Sequence, residues 1–246
     1  MSGEKDSLAR SLCWNCQSDV GGEYFCDHCV KIQPAPPRLD HFQRFGLPRH
    51  LTIDLPDLER RFHELSRKFH PDLFQRGSDQ EKAISLENSA MLNTAYRTLR
   101  DPILRVEYLI RLEEGAAKEI PAKPPSDLLE EILELQETLE EYKQAGKSTP
   151  DNSADLRKGL LSERERIHSR KMVLEKDLVG LFGEWDRLPE LLSKPDEQQA
   201  QRRSLLQRMK DLLSARAYLK TLLEDLDEGL HEHHIKVISN VKDRGN

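Results

Sequence analysis

The chain has 246 residues, 33% of them charged and only 6% aromatic, with a net charge of −6. That length holds one or two domains, and so much charge with so little glycine favours long helices over sheet. The acidic balance argues against a general nucleic-acid binder, since phosphate contact rewards a basic surface, and no apolar run approaches the ~18 residues of a membrane span.

MSGEKDSLARSL at the start lacks the apolar centre of a signal peptide, and Glu4 and Asp6 are unusual in a mitochondrial presequence. The expected location is the bacterial cytoplasm or, for a trimmed chain, the mitochondrial matrix. All four cysteines follow at once, as CWNC (13–16) and CDHC (26–29), with none elsewhere for a disulfide framework. Each Cys-x-x-Cys pair puts two thiolates on one tight turn. Two such turns supply the tetrahedral set that Zn²⁺ prefers, so Cys13, Cys16, Cys26 and Cys29 read as a closed, structural zinc site. An iron centre or two redox dithiols are the alternatives. About twenty residues have no core of their own, so the metal is expected to hold this 1–31 module together.

IQPAPPR follows, and residues 32–38 read as an extended proline-rich linker. The stretch DLPDLERRFHELSRKFH (54–70) predicts a helix, with Asp54 at its cap and Pro56 in its first turn. Leu58, Phe62, Leu65 and Phe69 recur at helical spacing and form its expected buried face, while Arg60, Arg61, Arg67 and Lys68 occupy the rest. Pro71 stops the helix and pushes His70 out of helical torsions. A second helix is expected from Ser78 or Asp79 to about Arg100, with Ile84, Met91, Ala95 and Leu99 inward. The pair would leave His70, Pro71 and Asp72 exposed in the loop between them.

GAAKEIPAKPPS marks a second linker, taken as 113–126, because three prolines fit no helix interior. Beyond it, 127–246 reads as three helices with heptad-like seams. Leu128, Ile132, Leu135, Leu139 and Tyr142 line the first. The second carries Leu160, Ile167, Leu174, Leu178, Leu181 and Trp185, interrupted by Arg164 and Lys171. The third carries Leu205, Met209, Leu212, Leu219, Leu223, Leu226 and Leu230, interrupted by Arg216. One stripe per helix predicts an antiparallel bundle. The fold class is therefore all-α: a helical hairpin joined to an antiparallel three-helix bundle, preceded by a small zinc-knuckle module. On the first bundle helix Leu129 and Leu133 fall off the seam, next to a stripe containing Glu130, Glu134, Glu137 and Glu141. Exposed leucines beside carboxylates make a partner surface; a widened core stripe is the plainer reading.

The His-Pro-Asp triplet alone is weak. With HFQRFGLP (41–48) before the basic helix and NTAYRTLRDP (93–102) closing the next, segment 39–112 resembles a J-domain. The resemblance implies docking on a DnaK-type chaperone and stimulation of its ATPase. It assigns docking to His70, Pro71 and Asp72, with Arg60, Arg61, Arg67 and Lys68 as the basic surface. The J-domain signature usually continues into a Gly-rich, β-rich region; here it continues into DPILRVEYLIRL and a helical bundle, which resembles the HscB family of iron–sulfur cluster biogenesis. That resemblance covers roughly 39–240, and some members carry a similar four-cysteine module. It implies an IscU-type scaffold protein as partner, bound by Leu129, Leu133, Glu134, Glu137 and Glu141, with Tyr218 contributing an aromatic. Glu130 stands where the family often has an aliphatic residue.

No nucleophile–base pair, phosphate-cradling loop or paired acids stands out, so no catalytic residue is nominated. His231, His233 and His234 in LHEHHIK read as a solvated helix tail rather than ligands. A general J-protein adaptor for unfolded clients, and a zinc-knuckle nucleic-acid or redox protein, are the competing functions. The acidic stripe favours one specific partner over either. The sequence carries no signal of oligomeric state.

Overall fold

The computed structural model describes residues 12–20, 24–36, 38–115, 120–145, 150–191 and 195–243, with side chains left out at 145, 150–153, 189–191, 195 and 232–243. The chain divides into two compact units, Met1–Leu109 and Ile110–Asn246. Among the described residues there is no strand, only two isolated antiparallel bridges, Leu12 with Asp19 and Phe25 with Ile32. No helix there is long and apolar enough to cross a membrane.

In the first unit, α1 (His41–Arg44) opens on a capping box between Asp40 and Gln43 and buries Phe42. Helix α2 (Leu55–Phe69) is capped by Asp54, has a proline in its first turn, and buries Leu58 and Phe69. Phe62 and Leu65 are half-buried on the same face. The chain turns at His70 into one 3-10 turn, Pro71–Phe74. A second capping box, Ser78 with Glu81, then starts α3 (Asp79–Arg100). Ile84, Ala95 and Leu99 are buried as expected, but Leu92 takes the core position and Met91 is half-buried. Helix α4 (Pro102–Glu114) starts on the Asp101 carboxylate, which accepts from the N–H groups of Ile103 and Leu104 at 2.8 and 2.9 Å. Arg105 is buried but donates to Leu99 O and Leu51 O at 2.6 and 2.5 Å, so its charge ties the end of α3 to the loop before α2.

The described part of the proline-rich stretch, 32–36, is without helix, but it is not a spacer. Ile32, Gln33 and Ala35 are buried, and Asn88 on α3 accepts from Ala35 N–H at 2.8 Å and donates to Gln33 O at 2.9 Å. Prolines favour an extended backbone; here its polar groups are satisfied by a helix side chain instead of water.

In the second unit, α5 (Leu129–Ala145), α6 (Pro150–Gly180) and α8 (Pro195–Asp243) pack on one another, and α7 (Phe182–Leu191) packs on α6 and α8. The seam residues Ile132, Leu135, Leu139 and Tyr142 meet Leu160, Ile167 and Leu174 of α6 and Leu219, Leu223, Leu226 and Leu230 of α8. Leu128 packs at the edge of this core from a 3-10 turn before α5. Two expectations are corrected. The second bundle helix is not continuous through Leu181 and Trp185: the chain breaks at Leu181, between α6 and α7, where Gly180 and Gly183 weaken helix propensity. On α8, Leu213, Leu222 and Leu206 are buried while Leu212 is only half-buried. A helix that meets three others needs a wider apolar face than one heptad seam.

The cations that interrupt the seams lie at its edges and are paired. Arg164 reaches Asp227 at 2.5 Å, and Lys171 and Arg216 share Glu175 at 3.1 and 2.7 Å. The second linker is also engaged: Ser214 Oγ donates to Pro121 O at 2.5 Å, and Lys123 N–H to Ser214 O at 3.4 Å. Gly229 on α8 admits α5 closely, since a Cβ there would lie 2.8 Å from Leu139 Cδ1. Of the break expected near 146–153, 146–149 lie outside the described residues and 150–153 already belong to α6; the side chains of His233 and His234 also lie outside them, and His231 is exposed.

Candidate metal centre and docking surfaces

The two Cys-x-x-Cys turns are built alike. Cys13 C=O accepts from Gln17 N–H at 2.9 Å and Cys26 C=O from Val30 N–H at 2.8 Å. Cys13 N–H and Cys26 N–H donate onward to Ser18 O and Lys31 O. Closing each turn takes a left-handed residue straight after the second cysteine: Gln17 at φ 60° and Val30 at φ 58°. For a β-branched valine that conformation is strained.

The turns bring the four Sγ atoms within 4.8 Å of one another. Cys13 lies 3.6 Å from Cys29, and Cys16 lies 3.6 Å from Cys26. A tetrahedron with metal–sulfur bonds of about 2.3 Å has edges of about 3.8 Å, so the donor set fits one metal ion. The surroundings favour the thiolate at Cys13 and oppose it at Cys26. Burial pushes the Cys13 thiol up, but N–H groups of Cys16 and Asn15 outweigh it, and its pKa falls to about 6. Cys29 N–H lowers Cys26, yet burial and the neighbouring thiols win and raise it to about 11. Gln33 Nε2 donates to Cys13 Sγ at 3.2 Å from a buried position. The indole N–H of Trp14 donates to Ile32 O at 2.6 Å. His28 is exposed.

In the turn between α2 and α3, His70 and Asp72 are exposed and Pro71 is half-buried. Asp72 N–H donates to His70 Nδ1 at 3.3 Å, and Gln75 holds the Asp72 carboxylate at 3.2 Å. The turn therefore fixes its own side chains while leaving them open to a partner. An open groove lined by His63, Ser66, Arg67, His70 and Leu73 runs beside it, and Leu73 is 65% exposed.

The four cations of α2 divide into two kinds. Arg60 pairs with Asp57 and Glu64. Arg61 pairs with Asp57 and donates to Phe45 O at 2.8 Å, fastening α2 to the loop after α1. Arg67 and Lys68 make no ion pair with any described residue.

On α5, Leu129 and Leu133 are 46% and 56% exposed. With Glu137 and Glu141 they form a ridge at four-residue steps. Glu134, Glu137 and Glu141 are exposed and pair with no described cation, whereas Glu131 is taken by Arg166 at 2.6 Å and Asp127 by Arg170 at 2.5 Å. Tyr218 is half-buried against the bundle core. What sequence reasoning missed is the polar set Gln33, Glu81, Ser85 and Asn88, all buried. The signal was there for Asn88: it interrupts the seam Ile84, Leu92, Ala95, Leu99.

No protein-family model matches the chain. It is 38% identical over 135 residues to the mouse "Iron-sulfur cluster co-chaperone protein HscB", covering 52% of this chain and 56% of that protein. The Arabidopsis thaliana "Iron-sulfur cluster co-chaperone protein HscB homolog" is 36% identical over 129 residues, 52% of this chain and 51% of that protein. The human "Iron-sulfur cluster co-chaperone protein HscB" is 34% identical over 137 residues, covering 52% of this chain and 57% of that protein. The chain's matches thus span about half the length of these curated relatives. The crystal structure of human co-chaperone protein HscB superposes with a TM-score of 0.60 at 23% identity, over 88% of this chain and 97% of that one. The sequence is therefore homologous to proteins named HscB co-chaperone, and its fold, a four-cysteine cluster followed by helices throughout, is similar to that of human HscB.

Proposed function

We propose that the chain is a co-chaperone of iron–sulfur cluster biogenesis. It docks a DnaK-type chaperone through His70, Pro71 and Asp72, stimulates that partner's ATPase, and presents an IscU-type scaffold protein held on α5. The observation that carries the reading is the exposed His-Pro-Asp turn at the end of a capped basic helix, in a chain similar to HscB proteins. Arg67 and Lys68, in no ion pair with a described residue, supply the steering charge towards an acidic patch, and the Asp72 carboxylate offers a charge-assisted acceptor to a partner arginine. Arg60 and Arg61 act mainly by shaping and fastening the helix.

On α5, Leu129 and Leu133 are the apolar anchors, with Glu134, Glu137 and Glu141 the rim that meets a basic-edged scaffold, and Tyr218 supports the surface from the core edge. The four-cysteine centre holds a structural Zn²⁺, because four protein thiolates leave no open position for catalysis. Zinc-loaded four-thiolate sites belong in a reducing compartment, the bacterial cytoplasm or the mitochondrial matrix.

Two variants test the two surfaces separately. His70→Gln is expected to abolish ATPase stimulation while stability moves by only about ±0.5 kcal/mol, since an exposed loop side chain buries little. Leu129→Ala with Leu133→Ala is expected to weaken scaffold binding by about 1–3 kcal/mol and to leave scaffold-independent stimulation unchanged. Normal stimulation by the histidine variant would reduce the turn to a helix stop. A folded leucine variant with wild-type scaffold affinity would remove α5 from the interface.

A further inference from the structure

The metal centre and the His-Pro-Asp turn are joined through one helix. From the centre, Gln33 donates to Cys13 Sγ at 3.2 Å and to Lys31 O at 2.9 Å. Its own carbonyl then accepts from Asn88 of α3 at 2.9 Å. One turn of helix away, Ser85 Oγ donates to Phe69 O at 2.6 Å, and Ser89 Oγ adds a second bond to the same carbonyl at 3.1 Å. Phe69 is the last residue of α2 and the neighbour of His70. Nearer the N-terminus of α3, Glu81 accepts from Lys31 at 2.9 Å while completing the capping box with Ser78.

The cysteine module also touches α2 directly. The ring of Phe69 meets Tyr24 at 4.7 Å and Phe25 at 6.2 Å between centroids. Phe69 is 1% exposed, so those two rings are part of what buries it. Tyr24 and Phe25 stand in the segment between the two cysteine pairs, whose conformation depends on both turns being closed. Without the four sulfurs held together, a module whose own buried apolar set is Cys13, Val20 and Cys26 has little to keep Tyr24, Phe25 and Gln33 in place.

We infer that the four-cysteine centre braces the docking turn, so that metal occupancy regulates docking on the chaperone, with Gln33 and Asn88 as the positioning residues. This rests on the docking role proposed for His70, Pro71 and Asp72. A buried asparagine that satisfies two backbone groups of another segment fixes that segment's register, and it leaves both unpaired when the segment departs. The loss falls on the side of α3 that also holds the end of α2.

The test compares the full chain loaded with Zn²⁺ and the same chain stripped by a chelator, by amide hydrogen exchange and by stimulation of a DnaK-type ATPase. Stripping is expected to speed exchange at Phe69 and at residues 85–89 by about tenfold or more, to leave α5, α6 and α8 unmoved, and to lower stimulation. Asn88→Ala is expected to reproduce the faster exchange with zinc still bound, as measured by metal content. Gln33→Ala, which removes one donor and keeps the backbone, gives a milder version if the first variant does not fold. Stripped protein that loses order only in 12–31, with wild-type exchange at Phe69, overturns the brace. So do positioning variants that keep wild-type protection. If zinc-loaded wild type stimulates no DnaK-type ATPase, the co-chaperone reading falls, and the exchange data still decide the brace.

Discussion

The cysteine module and the helical bundle solve the same problem with opposite means. The bundle buries leucine upon leucine, with Leu160, Leu219 and Leu226 at 0% exposure. Its stability is spread over many contacts of similar kind, each contributing roughly 25 cal/mol per Å² removed from water. The module has almost nothing apolar to bury. It relies on four sulfurs, paired turns and hydrogen bonds to α3. The difference teaches where each region can fail: a bundle weakens in proportion to what is removed, whereas a metal-held module is present or absent as a whole.

The largest effect that sharpens this contrast is in the bundle. Leu219→Ala is expected to cost about 2–5 kcal/mol, because a fully enclosed side chain leaves a cavity that three packed helices cannot close. Denaturant unfolding followed by helical circular dichroism measures it, and metal content should not change. A cost under about 1 kcal/mol would mean that the bundle is looser than its burial implies.

A smaller effect, of opposite sign, belongs to the module. Val30 holds φ 58° with its side chain 76% exposed, so it carries strain and buries little in return. Val30→Gly is expected to stabilise the module by about 1 kcal/mol, read as tighter zinc retention in a chelator competition. Weaker retention would show that the valine side chain makes a contact that outweighs its backbone.

The smallest effect is acid sensitivity, which both regions share. Hydrogen bonding from Lys31 lowers the Glu81 pKa below its ordinary 4.5, and Arg164 lowers Asp227 below 3.8. At Glu175 burial pulls upward, but Arg216 and Lys171 prevail and the pKa is lowered from 4.5. Groups with depressed folded-state values stabilise above their unfolded values and lose that contribution as pH falls through the folded ones. The carboxylate part of the stability is therefore expected to be flat from neutral pH down to about 5 and to decline below about 4. Glu81→Gln should flatten the decline in the first unit only, and Asp227→Asn in the bundle only. Thermal melts across that range check this; a decline beginning near pH 6 would point to the Cys13 thiolate instead.

Much of this was legible in the sequence because the signals are local. Two cysteine pairs on tight turns, an aspartate and a proline opening α2, Pro71 closing it, and Ser78 or Asp79 opening α3 each act within a few residues. Apolar spacing likewise placed Leu129 and Leu133 off the seam of α5, where they are exposed. The tertiary structure decided what depends on several partners at once. The heptad rule assumes one facing seam, but α8 meets α5, α6 and α7, so Leu213 and Leu222 are buried and Leu212 packs only at the core's edge. Proline composition marks 32–38 as extended, yet only the approach of Asn88 makes it a strap rather than a linker. Charge on α2 is visible in the sequence, but its division into Arg60 and Arg61, paired with acids of the helix, and Arg67 and Lys68, in no ion pair with a described residue, depends on where Asp57 and Glu64 end up. Covalent neighbours set backbone torsion and side-chain spacing; which polar group finds a partner is fixed only when distant segments meet.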